Sequence, residues 1–370
     1  MKDFTLILLI KDRPEFFERW VDYTILKKPN YSILISDGGK KKIDKSELLK
    51  LSTNKIKYKY KRFSYDKNYR QFCKKIFQSL KICKSKYVSL CADDDFYINE
   101  SYSRGLNFLK KNKNYVCYGA KMITFGASNK YDIVNSIPTN FNTMYKNNKI
   151  NDNSLSLKDR LIFFLKNSNF VIFHYIIKRE TLKDTYKKIL KSNLTIPNLI
   201  DIYGNSLIYC KGFVKTSNEI IRMKQYHASS DAKSRDMSNT LADNKFIKEN
   251  QELINELIKH VLPKQKKNKS YIKRDIEKNF HEHYLRGKKA YLKKNNDFKK
   301  ILVITFIKNL IMSKNINNIY YYFKKRKMIS YFKKKISKIT DKKIKEEVNL
   351  ILKFFLQKKI NLNSKLNHKN

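Results

Sequence analysis

In the first third of the chain, short unbroken apolar runs alternate with stretches whose apolar side chains recur at helical spacing. TLILLI (5–10) is continuous enough for a strand covered on both faces. PEFFERWVDYTILKK follows, with Pro14 at a first helical position and Phe16, Trp20 and Tyr23 along one helical side. YSILISDGG (31–39) reads as a second strand ending in a turn, and IKYKYKRF (56–63) as a short alternating strand. NYRQFCKKIFQSLKIC is an amphipathic helix, KYVSLCA (86–92) a fourth strand, and INESYSRGLNFLKK a further helix. Strands separated by helices imply right-handed crossovers and a largely parallel sheet.

Later segments extend the pattern. YVCYGAKMITFG predicts a strand pair, and FVIFHYIIKRE (170–180) a strand entering a helix at Arg179 and Glu180. NLIDIYGNSLIYCKG (198–212) predicts a helix stopped by Gly212, and FVKTSNEIIRMKQYH a returning strand.

In open α/β sheets the ligand crevice lies outside the carboxyl ends of the strands. That rule gathers Asp12 and Arg13, then Asp37 with Gly38 and Gly39, then Asp93, Asp94 and Asp95, and these clusters are expected to converge. Three adjacent carboxylates raise one another's pKa unless a cation sits among them. Mg²⁺ or Mn²⁺ takes carboxylate oxygens and leaves positions for phosphate, so a strand-end DxD suits a metal–diphosphate site. The competing structural reading is a solvated acidic turn, or a cap for the helix that follows.

Composition changes the picture in one respect. The 370 residues hold 81 Lys+Arg against 33 Asp+Glu, a formal net charge of +48. A polyanionic partner would account for this, and so would codon drift toward A/T, which also enriches Lys, Asn, Ile, Tyr and Phe. The charge is uneven: residues 264–370 carry 32 Lys+Arg and 7 Asp+Glu, a net +25, leaving +23 on the rest. Five cysteines without a CxxC pair indicate neither a disulfide framework nor a zinc site, and a reducing cytoplasm is expected. The N-terminal apolar run lacks a cleavage site, and ILVITFIKNLIM (301–312) is too short to span a bilayer. The C-terminal stripe of Ile344, Val348, Ile351, Leu352 and Phe355 has two readings: a helix packed on the rest of the chain, or a basic amphipathic helix in peripheral contact with an anionic membrane.

TLILLIKDRPEFFERWVDY, ILISDGG and FCKKIFQSLKICKSKYVSLCADDDFY, in that order and spacing, resemble the family 2-like glycosyltransferases with the A-type fold, closest to a bacterial group of glycosyltransferase domain proteins. The likeness is good over about residues 4–125 and looser over 165–227. It implies an α/β, Rossmann-like glycosyltransferase A fold with a mostly parallel sheet over residues 1–262, its nucleotide-sugar half about 1–125 and its acceptor half about 126–262, followed by a basic α-helical C-terminal region, 263–370. It implies a metal-dependent, inverting transfer from a nucleotide-sugar donor to a glycan or lipid-linked acceptor in surface polysaccharide synthesis. Carried over, Arg13 meets the nucleotide, Asp37 binds base or ribose, Asp93 or Asp94 the ribose, and Asp95 the metal, with Asp93 also a candidate ligand. The family more often has DGS where this chain has Asp37-Gly38-Gly39.

An inverting transfer needs a base for the acceptor hydroxyl. Asp201 matches the family's acid at the opening of an acceptor-side helix; a helix-terminal acid without catalytic role is the other reading, and Asp152 and Asp159 are rivals. His227 is a candidate ligand of metal or diphosphate, Arg222 and Lys224 candidate phosphate clamps, and His174 a core histidine; HEH (281–283) is not read as metal-binding. Two alternatives remain. A nucleotidyltransferase on the same fold usually has a Gly-rich first loop, which LILLIKDRPEF lacks. A basic nucleic-acid-binding protein is favoured by charge and by Tyr/Lys interleaving in KIKYKYKRF, but no binding module accompanies it, so no specific nucleic acid is expected.

Overall fold

The computed structural model describes residues 3–127, 138–144, 151–152, 156–167, 172–173, 175–226, 243–261, 273–286 and 339–367, with 134, 240, 270–271 and 336–337 between them. Its elements, in chain order, are β1 (Phe4–Ile10), α1 (Pro14–Lys27), β2 (Ser32–Asp37), α2 (Lys45–Thr53), β3 (Tyr58–Arg62), α3 (Tyr69–Ile82), β4 (Tyr87–Ala92), β5 (Asp95–Tyr97), α4 (Asn99–Lys111), β6 (Tyr115–Ala127), β7 (Pro138–Met144), β8 (Asn151–Asp152), α5 (Leu157–Asn167), β9 (Ile176–Lys178), α6 (Arg179–Lys191), α7 (Pro197–Lys211), β10 (Phe213–Tyr226) and α8 (Phe246–Val261). Residues 273–286 are helical, and a C-terminal helix spans Lys342–Asn367.

The strands form one sheet ordered β3-β2-β1-β4-β9-β6-β10-β5, with β7 beside β6 and β8 beside β10. β1, β2, β3, β4, β6 and β10 all run one way; β5, β7, β8 and β9 oppose their neighbours. The fold is therefore α/β and Rossmann-like with a mostly parallel sheet. TLILLI is buried along its whole length because β1 lies between β2 and β4 and has helices on both faces.

Strand alternation divides the core. Phe4, Leu6, Leu8 and Ile10 face a layer built from α1, α2, α4 and the C-terminal helix. Ile7 and Leu9 face the opposite layer, where α3, α5, α6, α7, α8 and the 273–286 helix pack. Tyr115–Ala127, expected as a strand pair, is one long strand. Its Gly119 makes no turn; a Cβ there would come within 2.1–2.2 Å of the Tyr175 ring, so the glycine is room for that ring. A strand not foreseen, β5, begins at Asp95, which makes Asp93 and Asp94 the turn between β4 and β5.

The C-terminal helix is part of the core. Ile344, Val348, Ile351, Leu352 and Phe355 are all buried in the same cluster as Tyr23, Phe96 and Phe125. Phe355 meets Phe96 at 5.1 Å and Phe125 at 5.6 Å between ring centroids. Glu347 accepts hydrogen bonds from the backbone N–H groups of Asn99 and Glu100, both 2.8 Å, and pairs with Lys27 at 2.8 Å. The stripe that could have met a lipid surface is thus covered by protein. No helix among the described residues is long and apolar enough to cross a membrane; ILVITFIKNLIM lies outside the described residues.

Replacing Phe355 with alanine removes a buried ring from this joint and is expected to lower stability by about 3–5 kcal/mol in urea unfolding. A change under about 0.5 kcal/mol would show that the helix does not hold the layer together.

Candidate active site at the strand ends

The loops after β1, β2 and β4 meet at one end of the sheet. Asp12 adopts a left-handed backbone, φ 49°, which a short polar side chain tolerates, and its Oδ1 accepts the Lys40 N–H at 2.6 Å, tying the first loop to the second. Asp37 Oδ1 accepts the Gly39 N–H at 2.8 Å, and Oδ2 accepts the Tyr60 hydroxyl at 2.7 Å. Arg62 braces the same turn by donating to the carbonyls of Gly39 and Lys40 at 3.2 and 2.6 Å. A Cβ on Gly39 would lie 3.0 Å from Asp12 Oδ1 and 3.2 Å from Asp37 Oδ1, so glycine rather than serine lets the two loops close up. Gly38 is tighter: a Cβ would fall 2.3–2.6 Å from the carboxyl group of Asp66. That buried carboxyl pairs with Lys75 at 2.5 Å, and burial pushes the Asp66 carboxyl up and the Lys75 ammonium down.

Asp93, Asp94 and Asp95 are only 1%, 5% and 3% exposed, which removes the solvated-turn reading. The cap reading fails too, because Ile98 is the N-cap of α4 and Glu347 takes its first N–H groups. Guanidinium groups supply the cations. Arg13 forks across the pair, bonding Asp93 through Nη2 and Asp94 Oδ2 through Nη1 at 3.1 Å. Arg222 Nη1 donates to Asp95 Oδ2 at 3.1 Å. Burial still raises both the Asp93 and Asp95 carboxyls, Asp93 to about 7, with Arg13 and Arg222 opposing the rise. Arg19, wholly buried between the rings of Phe16, Phe96 and Phe355 at 4.9–5.3 Å, adds positive charge near the corner.

Arg222 is not a phosphate clamp. It is 1% exposed, and besides Asp95 it donates to the carbonyls of Phe173 and Leu90, to Ser89 Oγ and to the Tyr102 hydroxyl, at 2.7–3.2 Å. Nor are the β3 tyrosines free for base stacking. Tyr58 donates to the Leu48 carbonyl and Tyr60 to Asp37, while Lys59 and Lys61 point outward on an edge strand, where charge discourages edge pairing.

Asp201 lies in the second turn of α7, not at its opening, and the N–H groups preceding that helix, of Thr195 and Ile196, are taken by Glu249 of α8. The macrodipole reading therefore does not account for Asp201. Its Oδ1 accepts the Tyr69 hydroxyl. Stacked rings lead from there toward the acidic corner: Tyr69 to Phe72 at 5.5 Å, then Phe72 to Phe173 at 6.1 Å, whose carbonyl accepts from Arg222. Asp159 is exposed, and Asp152 is in β8. His227 and His174 lie outside the described residues. His283 is buried, its Nδ1 against the Leu165 carbonyl at 3.1 Å. A surface concavity of about 410 Å³ lined by Lys61, Arg62, Gln78 and Lys81 sits at the β3 edge and has no acid in its wall.

Among the described residues no three His, Cys, Asp or Glu side chains are grouped to hold a metal ion. Within the aspartate corner, two carboxylate oxygens nevertheless lack hydrogen-bond partners while buried, Asp93 Oδ2 and Asp95 Oδ1. One or two carboxylates, with the remaining positions filled by phosphate and water, is the protein share that Mg²⁺ commonly takes, so these residues fit such an ion.

No protein-family model matches the chain, and no curated protein matches it. Several solved structures are similar. The crystal structure of S. aureus TarS is 13% identical with a TM-score of 0.40, over 72% of this chain and 44% of that one, so the chain spans less than half of that protein's length. TarS 1-349 in complex with UDP is 12% identical with a TM-score of 0.45, over 78% of this chain and 92% of that one. Glucosyl-3-phosphoglycerate synthase from Mycobacterium tuberculosis in complex with phosphoglyceric acid is 10% identical with a TM-score of 0.34, over 70% and 79%. Likenesses this distant assign no activity to the chain.

Replacing Arg222 with leucine leaves the Asp95 carboxylate buried without its partner, and a loss of about 3–5 kcal/mol is expected in urea unfolding. An arginine held for substrate alone would leave stability within about 0.5 kcal/mol.

Proposed function

We propose that this chain is a nucleotide-sugar-dependent glycosyltransferase of the A-type fold, acting with inversion on a glycan or lipid-linked acceptor in surface polysaccharide synthesis. The observation that carries this reading is the meeting of three strand-end loops, with Arg13 after β1 forked onto Asp93 and Asp94 after β4, and Asp12 bound to Lys40 after β2. A diphosphate needs positive charge that can reach it, and a nucleoside needs a fixed turn to lie against. Arg13, 26% exposed at its side chain, supplies the first, and the braced Asp37–Gly39 turn the second.

Asp93 and Asp95 would hold Mg²⁺ or Mn²⁺, and the ion's chemistry there is to neutralise charge on the departing diphosphate. The chain's own residues do the rest. Asp37 meets the base or ribose, and its bonds to the Gly39 N–H and the Tyr60 hydroxyl fix the turn. Asp201 takes the proton of the attacking acceptor hydroxyl, and the Tyr69 hydroxyl orients that carboxylate. Transfer from the opposite face of the sugar inverts the anomeric centre.

Thermal-shift assays with UDP-, GDP-, TDP- and CMP-sugars, each with Mn²⁺ and with a chelator, should show one nucleotide class stabilising the protein in a metal-dependent way. Absence of any shift would sink the reading. For the class that binds, Asp201→Asn should retain binding and lose transfer by about 10²–10⁴-fold, the usual worth of a general base. Transfer within about tenfold of the parent protein would remove Asp201 from that role.

A further inference from the structure

Three arginines serve the acidic corner, and Arg13 is the most exposed of them. Arg19 is fully buried and held by three rings and by the Gln225 side chain, to which it donates at 2.8 Å. Arg222 is fixed by five partners from β4, β5, α4 and Phe173. Arg13 differs from both: it precedes α1 in the first loop, its side chain is 26% exposed, and its guanidinium rests over the Phe16 ring at 5.0 Å.

Moving Arg13 away has a consequence set by burial. Asp93 and Asp94 would be left as two adjacent carboxylates of at most 5% exposure without that cation, an arrangement the interior does not tolerate. The guanidinium can leave only if a proton or another cation takes its place, and at neutral pH a divalent ion neutralises both carboxylates at once. Asp93 Oδ2, buried and without a hydrogen-bond partner, is available to receive one, and Asp95 Oδ1 is in the same condition two residues on.

We propose that Arg13 is the resident cation of the corner, and that a divalent ion displaces it onto the diphosphate of the incoming nucleotide. This rests on the nucleotide-sugar reading above. Metal and nucleotide then bind as coupled events: the ion without a diphosphate must compete with Arg13, and the nucleotide without the ion finds the guanidinium engaged by carboxylates. Arg13 thus sets the order of binding as well as contributing a phosphate contact.

The test is Mn²⁺ binding in the absence of nucleotide, followed by loss of the free-ion electron paramagnetic resonance signal, for the parent protein, Arg13→Ala and Arg13→Lys, each confirmed folded by its melting transition. Removing the competing cation should tighten Mn²⁺ binding at least tenfold in Arg13→Ala, with Arg13→Lys between the two. The same Arg13→Ala protein, saturated with Mn²⁺, should bind the nucleoside diphosphate selected by the thermal-shift panel at least tenfold more weakly in calorimetry. If Arg13→Ala does not fold, tighter Mn²⁺ binding by Arg13→Lys than by the parent supports the displacement in its place. Unchanged or weaker Mn²⁺ binding in the variants, or no Mn²⁺ binding by any of the proteins at millimolar concentration, overturns the displacement. In that event the parent protein's binding of a nucleoside diphosphate would leave the glycosyltransferase reading standing, whereas failure to bind any would sink both.

Discussion

Burying three consecutive carboxylates is the constraint around which the strand ends are organised. Each acid is nearly inaccessible, and burial drives Asp93 and Asp95 toward the protonated form even beside their arginines. The arginines are therefore structural necessities before they are anything else. Arg222 reaches from β10 across β5 to lock Asp95 to β4 and α4, and Arg13 draws the loop after β1 onto the turn after β4. Removing either cation leaves a charge where the local dielectric cannot support it.

The same logic explains where a chain with 33 acids against 81 bases puts its acids. Several of them sit at joints. Glu347 closes the N-terminus of α4, Glu249 closes that of α7, Asp66 pairs with Lys75 beneath the Gly38 turn, and Asp37 holds Gly39 and Tyr60. Arg104 gathers Glu100, Glu219 and Asp341, joining α4, β10 and the start of the C-terminal helix. Among the described residues most lysines are exposed or half-buried, and the scarce carboxylates hold elements together. The C-terminal helix belongs to this scheme: its Glu347 and Phe355 support the segment Phe96–Glu100 that follows the aspartates directly.

Much of the first 125 residues was legible because it rests on local periodicity. The continuous apolar run of β1, the helical spacing in α1 and α3 and the terminal polar residues of β1, β2 and β4 each report their own environment. What was hidden depends on partners far away in sequence. Nothing near Arg222 says that it ends beside Asp95, 127 residues earlier, so it read as a candidate phosphate clamp. YVCYGAKMITFG read as a strand pair because the ring that its Gly119 accommodates, Tyr175, comes much later. β5 is three residues long and pairs only with β10, too short for alternation to reveal it. The tyrosine that orients Asp201 stands at the start of a different helix, and Asp201 itself lies one turn deeper in α7 than a helix-opening acid would.

The central claim is that this corner holds a cation against a nucleoside diphosphate. Its most direct test is a crystal structure of the chain with Mn²⁺ and the nucleoside diphosphate that it binds. The account predicts the ion on Asp93 and Asp95, the Arg13 guanidinium turned from the carboxylates to the phosphates, and the nucleoside against the Asp37–Gly39 turn. A nucleotide bound elsewhere, with Arg13 still forked across Asp93 and Asp94, would contradict it.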